Sequence, residues 1–531
     1  MKKLLLLLFL LICTLNITGC HDSAVDPKPI DPSPADPVFP SNMCTISFDT
    51  DGGTLISSFI IEKGDLLPID VIGTPLKDDF TFIGWSLTGE EENLFDFNLP
   101  INSDITLIAV WDANFKDYGY FLDEYVPSVI TESIELPQNV DDLKLIWSTT
   151  DPITLNNKGV CNPDIKDVEL TVNLEVYDNG YSTYYTKPVV VKANNFKDLS
   201  TGATFGYYSG WNYYGLPNEI TTAVDVINIC FAYVNNDFSL SFGDLSPYIS
   251  SIMRAHNYGI RVVLSVQGYA SGGTNFSRAA STDKGRKKLA ENMLELVKKY
   301  HMDGIDIDWE YPGYGTGVST SVDRRNYTLF IKQLKETFNN ESEKYIVTAA
   351  IPGGPYLPER FDLAEVSKYL DYIHIMTYDM QAGGRCTHHS ALYPSNGTAG
   401  GCSVSESVDY YVRQGVPESK CVVGIAFYGR GCTGTALGGS GSGYKAITYT
   451  KIYDKYLSRL NHGVKVYFDE VAQASYLIDT ANNYFIGYDN EQAIMAKCKY
   501  AKDNHLGGVM IWELGEDETN TLIQAVKKGM K

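Results

Sequence analysis

From about residue 198 to the C-terminus, short apolar runs alternate with stretches whose apolar residues recur every three or four positions. The helical spacing is seen at Leu289, Met293, Val297 and Tyr300, and again at Tyr327, Phe330, Leu334 and Phe338. It places apolar side chains on one face of an α-helix. The apolar runs have the length of strands and lie at 203–208, 226–233, 260–266, 303–310, 345–351, 372–378, 421–427 and 507–512. Eight strands alternating with helices predict a (β/α)8 TIM barrel over residues 198–531, with its active site at the carboxyl ends of the strands.

The segment between the last two runs is too long for one loop and one helix, so we expect a small α+β insertion at roughly residues 430–490. Upstream of the barrel the pattern changes. Residues 43–113 combine alternating strands with Asp-Gly turns and predict a small β-rich module. Residues 114–197 have short strands broken by Pro, Asn and Gly, which predicts a β-sandwich. Residues 21–42 carry a proline in nearly every short window and predict an extended linker. The chain is therefore expected to be multidomain.

The first 20 residues have the pattern of an export signal. Lys2 and Lys3 precede a leucine-rich run, and Ile17-Thr18-Gly19-Cys20 follows it. This ending resembles the lipobox of bacterial lipoproteins, which implies cleavage before Cys20 and lipidation of that cysteine. An ordinary signal peptide with a chance cysteine is the alternative. No later run is long and apolar enough to span a bilayer. We expect an exported monomer, lipid-anchored at the bacterial cell envelope, on the outer membrane or the cell surface.

The net charge and the cysteine pattern exclude some classes of partner and of scaffold. The net charge of −22 argues against nucleic acid, because phosphate contacts need patches of lysine and arginine. The 10 cysteines are too sparse for a scaffold built on disulfides. Cys386 and Cys402 bracket a Gly/Ser-rich loop, and whether they pair stays open. His388 and His389 lie nearby without regular metal-ligand spacing, so we expect no metal and no cofactor.

The fourth apolar run carries the densest candidate chemistry. Residues 303–310 read Asp-Gly-Ile-Asp-Ile-Asp-Trp-Glu. Because strand side chains alternate between faces, Asp306, Asp308 and Glu310 share one face, and Asp303 falls out of phase with them. Burial and mutual repulsion disfavour charged carboxylates, so at least one of the three is expected to hold a proton near neutral pH. A protonated carboxylic acid is what acid-catalysed cleavage of a C–O bond requires.

Several motifs in order resemble glycoside hydrolase family 18, the chitinases. Residues 303–310 match its DxxDxDxE signature, and the resemblance extends over the whole predicted barrel. The other matching segments are Phe205-Gly206-Tyr207-Tyr208, Cys230-Phe231-Ala232, Met376-Thr377-Tyr378-Asp379, Phe427-Tyr428-Gly429-Arg430, Tyr488-Asp489-Asn490 and Met510-Ile511-Trp512-Glu513. Upstream, residues 43–113 resemble an internalin-B-type repeat and residues 114–197 resemble bacterial immunoglobulin-like domains. Each of these two modules is either a spacer or a ligand-binding unit.

The resemblance implies a retaining, substrate-assisted mechanism. Glu310 would protonate the glycosidic oxygen and later act as base for water. The acetamido oxygen of N-acetylglucosamine would attack the anomeric carbon and give an oxazolinium intermediate. Asp308 would hold the acetamido N–H, and Asp306 would share a proton with Asp308. Tyr378 would orient the acetamido oxygen.

The resemblance also implies a sugar-binding set. Trp512 would form the floor under the sugar, and Tyr207, Phe231, Tyr269, Met376, Asp379, Tyr428 and Arg430 would contribute the remaining substrate contacts. For each of these the alternative is a packed residue of the barrel core. In the third strand the family usually reads Ser-x-Gly-Gly followed by tryptophan, whereas this chain has Ser265-Val266-Gln267-Gly268-Tyr269. Gln267 either narrows the site or supplies a new hydrogen bond, and the preferred chain length stays open.

The sequence leaves three functions open. The first is a chitinase cleaving β-1,4 links between N-acetylglucosamine units, by endo or exo action. The second is an endo-β-N-acetylglucosaminidase acting on protein-linked glycans. The third is a glycan-binding lipoprotein without activity, which the retained Glu310 disfavours.

Overall fold

The computed structural model describes residues 42–69, 72–78, 80–112, 117–178, 181–200, 202–209, 217–242, 246–268, 271–458 and 463–531. The export signal with Cys20 lies outside the described residues, and so does Tyr269. The chain divides into two compact units, one ending at Lys116 and the other beginning at Asp117. Among the described residues, no helix is both long enough and apolar enough to cross a membrane.

The first unit is a four-stranded sheet. Its strands are β1 (Met43–Asp49), β2 (Phe59–Glu62), β3 (Thr81–Ser86) and β4 (Ile105–Asp112), in the order β2-β1-β4-β3, and a 3-10 turn follows β3 at Glu91–Asn93. β1 runs parallel to β4, and the other pairs are antiparallel. The alternation seen in the sequence buries Cys44 and Ile46 of β1 against Leu107 of β4 and Trp85 of β3. The predicted β-rich character of this module is confirmed.

The second unit begins with a five-stranded sheet. A short helix, α1 (Tyr120–Tyr125), precedes the strands β5 (Val129–Ile130), β6 (Asn139–Val140), β7 (Leu143–Thr149), β8 (Val168–Asp178) and β9 (Tyr181–Val191), whose order is β5-β9-β8-β7-β6. Alternate residues of β8 are buried, from Leu170 to Val176. Phe121 of α1 and Leu155 of a connecting loop belong to the core on that buried face. A second sheet of the predicted sandwich is not among the described residues.

The remainder of this unit is a closed barrel of eight parallel strands, as predicted. The first strands are β10 (Ala203–Tyr208), β11 (Val226–Val234), β12 (Leu240–Ser241), β13 (Arg261–Gln267), β14 (Gly304–Asp308), β15 (Ile346–Pro352), β16 (Tyr372–Met376) and β17 (Cys421–Ala426). Of these, β12 is a short antiparallel addition to β11 and lies outside the ring. The last barrel strand, β23 (Gly508–Trp512), pairs with both β10 and β17, and β10 pairs with β11, which closes the ring.

Helices follow most of the strands. They are α2 (Asn218–Thr221), α3 (Ser246–Asn257), α4 (Ser271–Ala280), α5 (Asp283–Lys299), α6 (Thr320–Glu341), α7 (Leu363–Val366), α8 (Val404–Arg413), α9 (Tyr449–Ile452), α10 (Glu491–Asp503) and α11 (Thr521–Met530). The apolar residues predicted on α5 and α6, such as Leu289 and Phe330, are fully buried. Trp309 packs outward on this layer, with its ring stacked on Phe276 of α4 at 5.4 Å.

The insertion between β17 and β23 is an antiparallel sheet. Its strands are β18 (Tyr428–Thr433), β19 (Ser442–Thr448), β20 (Val464–Asp469), β21 (Ala474–Asp479) and β22 (Tyr484–Tyr488), in the order β19-β18-β22-β21-β20. It starts directly after β17, so Tyr428 and Arg430 on its first strand stay close to the barrel mouth. Asn490 caps α10 by accepting a hydrogen bond from the backbone N–H of Ala493 at 3.0 Å.

The loop between β7 and β8 contacts the barrel near the start of β14. Nδ1 of His256 lies 2.8 Å from Oδ1 of Asn162, and its Nε2 lies 2.8 Å from Oδ2 of Asp303. The same carboxylate oxygen accepts the backbone N–H of Val262 at 2.7 Å. Asp303, which is out of phase with the other acids of its segment, is thus fully buried in a contact between the two subdomains.

Candidate active site

Asp306 lies at the centre of the barrel and is held by three hydroxyl groups. Its Oδ2 accepts hydrogen bonds of 2.8 Å from Tyr207 and from Ser265, and its Oδ1 accepts one of 2.6 Å from Thr348. The donors stand on β10, β13 and β15, so closure of the barrel is what brings them to one carboxyl group. Asp306 is fully buried. A buried carboxyl with this many donors is fixed in place and cannot turn towards solvent.

Asp308 and Glu310 lie above Asp306, at the carboxyl end of β14. Strand pairing stops at Asp308, and the backbone N–H of Glu310 donates to the carbonyl oxygen of Gly268 at 3.2 Å. Burial raises the pKa of Asp308 well above its usual range, and the neighbouring carboxyl groups of Glu310 and Asp306 raise it further. Burial also raises the pKa of Glu310, so the protonated forms of both carboxyl groups are favoured.

One oxygen of Asp308 has no partner. The residue is 3% exposed, and its Oδ1 is buried without a hydrogen-bond partner in the part of the chain that the structure describes. Asp308 also lines a cleft at the carboxyl ends of the barrel strands. Leaving a buried carboxyl oxygen unpaired costs about 1–3 kcal/mol, so such an oxygen marks a place where a ligand N–H or O–H fits.

Glu310 has an unusual neighbour in Gln267. Burial raises the pKa of Glu310, while hydrogen bonds from Tyr311, Asp308 and Gln267 act in the opposite direction. Gln267 ends β13, opposite Asp308 in the strand register, and lines the cleft. The Gln267 side chain therefore stands in the cleft next to Glu310 and acts on its pKa.

Aromatic residues form the floor of the site. The Trp512 ring lies 5.4 Å from that of Tyr207 and stacks on Phe231 at 5.6 Å. Trp512, Tyr207, Met376 and Tyr378 all line the cleft, whereas Phe231 stands behind Trp512 and is not among the lining residues. Phe231 therefore supports the floor instead of contacting a ligand in this geometry.

Asp379 joins the barrel to the insertion. Its Oδ1 accepts hydrogen bonds from the Tyr428 hydroxyl at 2.7 Å and from Nε of Arg430 at 2.6 Å, and Arg430 makes a second contact to Oδ2. Burial would raise the pKa of Asp379, but the Arg430 guanidinium and the other partners hold it below its usual value. Asp379 and Tyr428 line the cleft, and Arg430 stands behind them as the ion-pair partner. Asp379 has φ of +59°, a left-handed conformation that directs its side chain to this junction.

These residues surround a cleft of about 580 Å³ at the carboxyl ends of the barrel strands. Two of its walls, at residues 352–357 and 399–402, were not predicted from the sequence. They follow β15 and precede α8, and the only sequence signal was the Gly-Gly-Pro and Gly-Gly turn composition at these positions. Ser265, Thr348 and His374, which point inward from strands, were missed as well. The sequence pattern that could have revealed these three residues is a polar residue at an inward position of an otherwise apolar strand.

Among the described residues, no group of three or more His, Cys, Asp or Glu side chains is placed to hold a metal ion. The two histidines considered in the sequence have other contacts. Nε2 of His388 lies 3.1 Å from Asp469, and Nδ1 of His389 lies 3.9 Å from Asp379.

Two segments of the chain match known protein families. The family model for "Glycosyl hydrolases family 18" matches residues 203–517, and the model for the "Listeria-Bacteroides repeat domain" matches residues 45–110. Chitinase A1 of Niallia circulans is 30% identical over 302 residues, covering 52% of this chain and 43% of that protein. Endochitinase 1 of Metarhizium robertsii is 30% identical over 283 residues, covering 50% of this chain and 64% of that protein.

A solved structure is similar over the barrel. It is a glycoside hydrolase family 18 N-acetylglucosaminidase from Paenibacillus barengoltzii, 35% identical, with a TM-score of 0.56. The similarity covers 62% of this chain and 100% of that one.

Proposed function

The chain belongs to glycoside hydrolase family 18, and from that premise we propose that it hydrolyses β-1,4 links between N-acetylglucosamine units, as in chitin or chitooligosaccharides. The observation that carries the proposal is the Oδ1 of Asp308, which has no partner among the described residues and lies in the same cleft as Glu310, whose pKa is raised by burial. A substrate acetamido group has an N–H donor that fits this oxygen. The proton on Glu310 fits the glycosidic oxygen that leaves.

The proposed reaction has two steps. In the first, Glu310 gives its proton to the glycosidic oxygen, and the acetamido oxygen of the substrate attacks the anomeric carbon. Asp308 accepts the acetamido N–H and stabilises the positive charge that spreads over the oxazolinium ring. In the second, Glu310 takes a proton from water, which attacks the same carbon from the face that the leaving group vacated. Two displacements at one carbon retain its configuration.

The cleft geometry supports this assignment. Trp512 offers a flat apolar surface to a sugar face, and Tyr378 and Met376 close the sides of the same subsite. Asp306 is held by three hydroxyl groups and has the fixed position needed to keep Asp308 over the reacting centre. Tyr207 both holds Asp306, through the hydrogen bond that its hydroxyl donates, and lines the cleft.

A product profile tests the proposal. The full chain is incubated with N-acetylglucosamine oligomers, colloidal chitin and a high-mannose glycopeptide, and the first anomer released is identified by proton NMR. We expect cleavage of the oligomers with the β-anomer formed first. Cleavage of the glycopeptide alone would instead assign the endo-β-N-acetylglucosaminidase function. Binding of oligomers without cleavage would assign the inactive glycan-binding function.

We further propose that the enzyme is a lipoprotein of the cell envelope, anchored through Cys20, with the repeat module of residues 43–113 as an internalin-B-type spacer. The Ile17-Thr18-Gly19-Cys20 sequence supports this proposal. Expression of the full chain and of Cys20→Ser, followed by membrane fractionation and mass spectrometry of the N-terminal peptide, is the test. We expect a diacylglycerol-modified Cys20 in the membrane fraction of the parent, and its loss in the variant.

A further inference from the structure

Two cysteines far apart in sequence meet where the loop after β16 contacts the insertion sheet. Cys386 lies in the loop between β16 and α8, and Cys432 lies on β18 of the insertion. Their sulfur atoms are 2.7 Å apart, although 46 positions separate them. Both are buried, with exposures of 0% and 2%. Among the cysteines that the structure describes, this is the one pair whose sulfur atoms are in contact.

The backbone around this pair is shaped to hold it. A Cβ atom at Gly434 would come within 2.5 Å of the Cys386 sulfur. A Cβ atom at Gly441 would come within 2.8 Å of the same sulfur and within 3.0 Å of the Cys432 sulfur. Backbone hydrogen bonds fix the Cys386 side, because its N–H donates to Gly439 at 2.8 Å and its carbonyl accepts from Gly438 at 2.7 Å. Two glycines thus leave the space that the two sulfur atoms occupy.

The surroundings of the two thiols argue against metal binding and nucleophilic reactivity, and they are compatible with oxidation to a disulfide. They pack with the apolar side chains of Ile478 and Phe485. No group of three metal-ligating side chains occurs in the described part of the chain, so a structural zinc site lacks its ligands here. Burial raises the pKa of the Cys386 thiol, which makes it a poor nucleophile once the protein has folded.

We propose that Cys386 and Cys432 form a disulfide bond. The oxidant is a second disulfide, either glutathione disulfide or that of a thiol–disulfide oxidoreductase. The thiolate of one cysteine attacks it, which gives a mixed disulfide and releases one thiol. The thiolate of the other cysteine then displaces the second thiol. The two cysteines lose two protons and two electrons, and the oxidant takes up both electrons as two thiols. Exchange takes place during folding, before both sulfur atoms are buried.

The bond fastens a junction that the site depends on. The loop that holds Cys386 also holds Tyr378 and Asp379, and β18 holds Tyr428 and Arg430. The Asp379–Arg430 ion pair already joins these two segments. A covalent link across the same junction keeps the cleft wall and the insertion in register, and it restricts the unfolded chain by closing a loop of 46 positions.

The structure also bears on the pairing that the sequence left open. Cys402 lies on the cleft wall, and its backbone N–H donates to the carbonyl of Ala399 at 3.1 Å. Within the described residues, no sulfur contact joins it to Cys386, whose sulfur instead meets that of Cys432. The proposal therefore assigns Cys386 to Cys432 and leaves Cys402 as a thiol.

Peptide mapping tests the assignment directly. The full chain is folded in a mixture of reduced and oxidised glutathione, denatured without reductant, alkylated and digested with trypsin. Cleavage after Arg385, Arg413, Arg430 and Lys445 puts Cys386 and Cys402 on residues 386–413 and Cys432 on residues 431–445. We expect these two peptides to be linked, with Cys402 alkylated. Alkylation of both Cys386 and Cys432, or a bridge inside residues 386–413, would overturn the proposal.

A stability measurement gives a second, independent readout. The parent folded with a reductant is expected to unfold about 5 °C lower than the parent folded with the glutathione mixture. Cys421→Ser is the matched control, because Cys421 is buried and contacts no other sulfur among the described residues. It should keep this redox-dependent difference, and Cys432→Ser should lose it. An equal difference in both variants would reject the pair. If Cys432→Ser fails to fold, the peptide map of the parent decides.

Discussion

The hydroxyl group of Tyr207 donates a 2.8 Å hydrogen bond to Asp306, although the two residues lie 99 positions apart. The same hydroxyl oxygen lies 2.9 Å from Nδ1 of His374. Burial lowers the pKa of His374 to about 4, against the opposing effect of Asp306, so its imidazole is neutral near pH 7. Since the single Tyr207 proton goes to Asp306, Nδ1 of His374 carries its own proton and donates to Tyr207. This chain of donors fixes the carboxyl beneath the reacting pair.

Tyr207→Phe should weaken this support. Removing the hydroxyl leaves Asp306 with one donor fewer and His374 without its acceptor, which costs about 1–3 kcal/mol. We expect kcat to fall about tenfold on chitooligosaccharides, together with a lower unfolding temperature. Tyr327→Phe is the control, because the Tyr327 hydroxyl is buried without a partner among the described residues. Equal losses in both variants would mean that the Tyr207 hydroxyl has no specific role.

Glu310→Gln should abolish turnover and leave binding intact. Glutamine keeps the shape of the side chain but has no acid proton, so kcat is expected to fall by about 10⁴-fold. Calorimetry with an N-acetylglucosamine oligomer should give an affinity within a few fold of the parent. Glu359→Gln, a change at an exposed glutamate near the cleft wall, is expected to behave as the parent. Turnover at the parent rate by the Glu310 variant would remove that residue from the mechanism.

Asp308→Asn tests the substrate-assisted step. Asparagine is neutral and cannot compensate the positive charge of the intermediate, so we expect a loss of about 10³-fold in kcat. An oligomer with glucosamine at the cleavage site should be inert with the parent enzyme, because it has no acetamido oxygen to attack. Asp409→Asn, at an exposed aspartate, is the control. Efficient cleavage of the glucosamine substrate would exclude this route.

Gln267→Met should move the pH profile. The Gln267 amide lowers the pKa of Glu310 relative to burial alone. Methionine is similar in size and has no donor, so the pKa of Glu310 should rise. Glu310 must be protonated to act as an acid, and the alkaline limb of kcat/KM is therefore expected to shift up by about half a pH unit or more. A profile unchanged in position would show that Gln267 does not act through Glu310.

Glu516→Gln should stabilise the protein at alkaline pH. Burial, followed by the neighbouring Glu513, raises the pKa of Glu516 from 4.5 to about 8. Between these values the folded chain holds a proton that the unfolded chain has released, so stability falls as pH rises through this window. Glutamine does not ionise and avoids this loss.

We therefore expect the Glu516 variant to unfold about 2 °C higher than the parent at about pH 8 and to match it at about pH 4. Thermal unfolding across this range is the measurement. Glu518→Gln, at an exposed glutamate, provides the comparison. A gain that is the same at both pH values would point to a cause other than ionisation.

The sequence was sufficient to predict the barrel and the line of acids, because both are local properties. The periodicity of apolar residues along the chain predicts which segments are strands or helices. The two-residue alternation in 303–310 predicts which acids share a face. The position of Gln267 beside the predicted site was also visible, since it ends a strand adjacent to that of Glu310. The sequence did not show whether the Gln267 side chain fills space or acts on Glu310, because the direction of that side chain depends on packing against the neighbouring strand.

The sequence by itself determined the family, the order of the elements and the acids that share one face of the fourth strand. The tertiary structure decided which distant residues stand beside them. Ser265 and Thr348 meet Asp306 because the barrel closes, and Cys386 meets Cys432 instead of the nearer Cys402 because the insertion sheet folds back on the loop after β16. Periodicity describes the neighbours of a residue along the chain, whereas contacts of this kind are set by packing across elements, which no local pattern encodes.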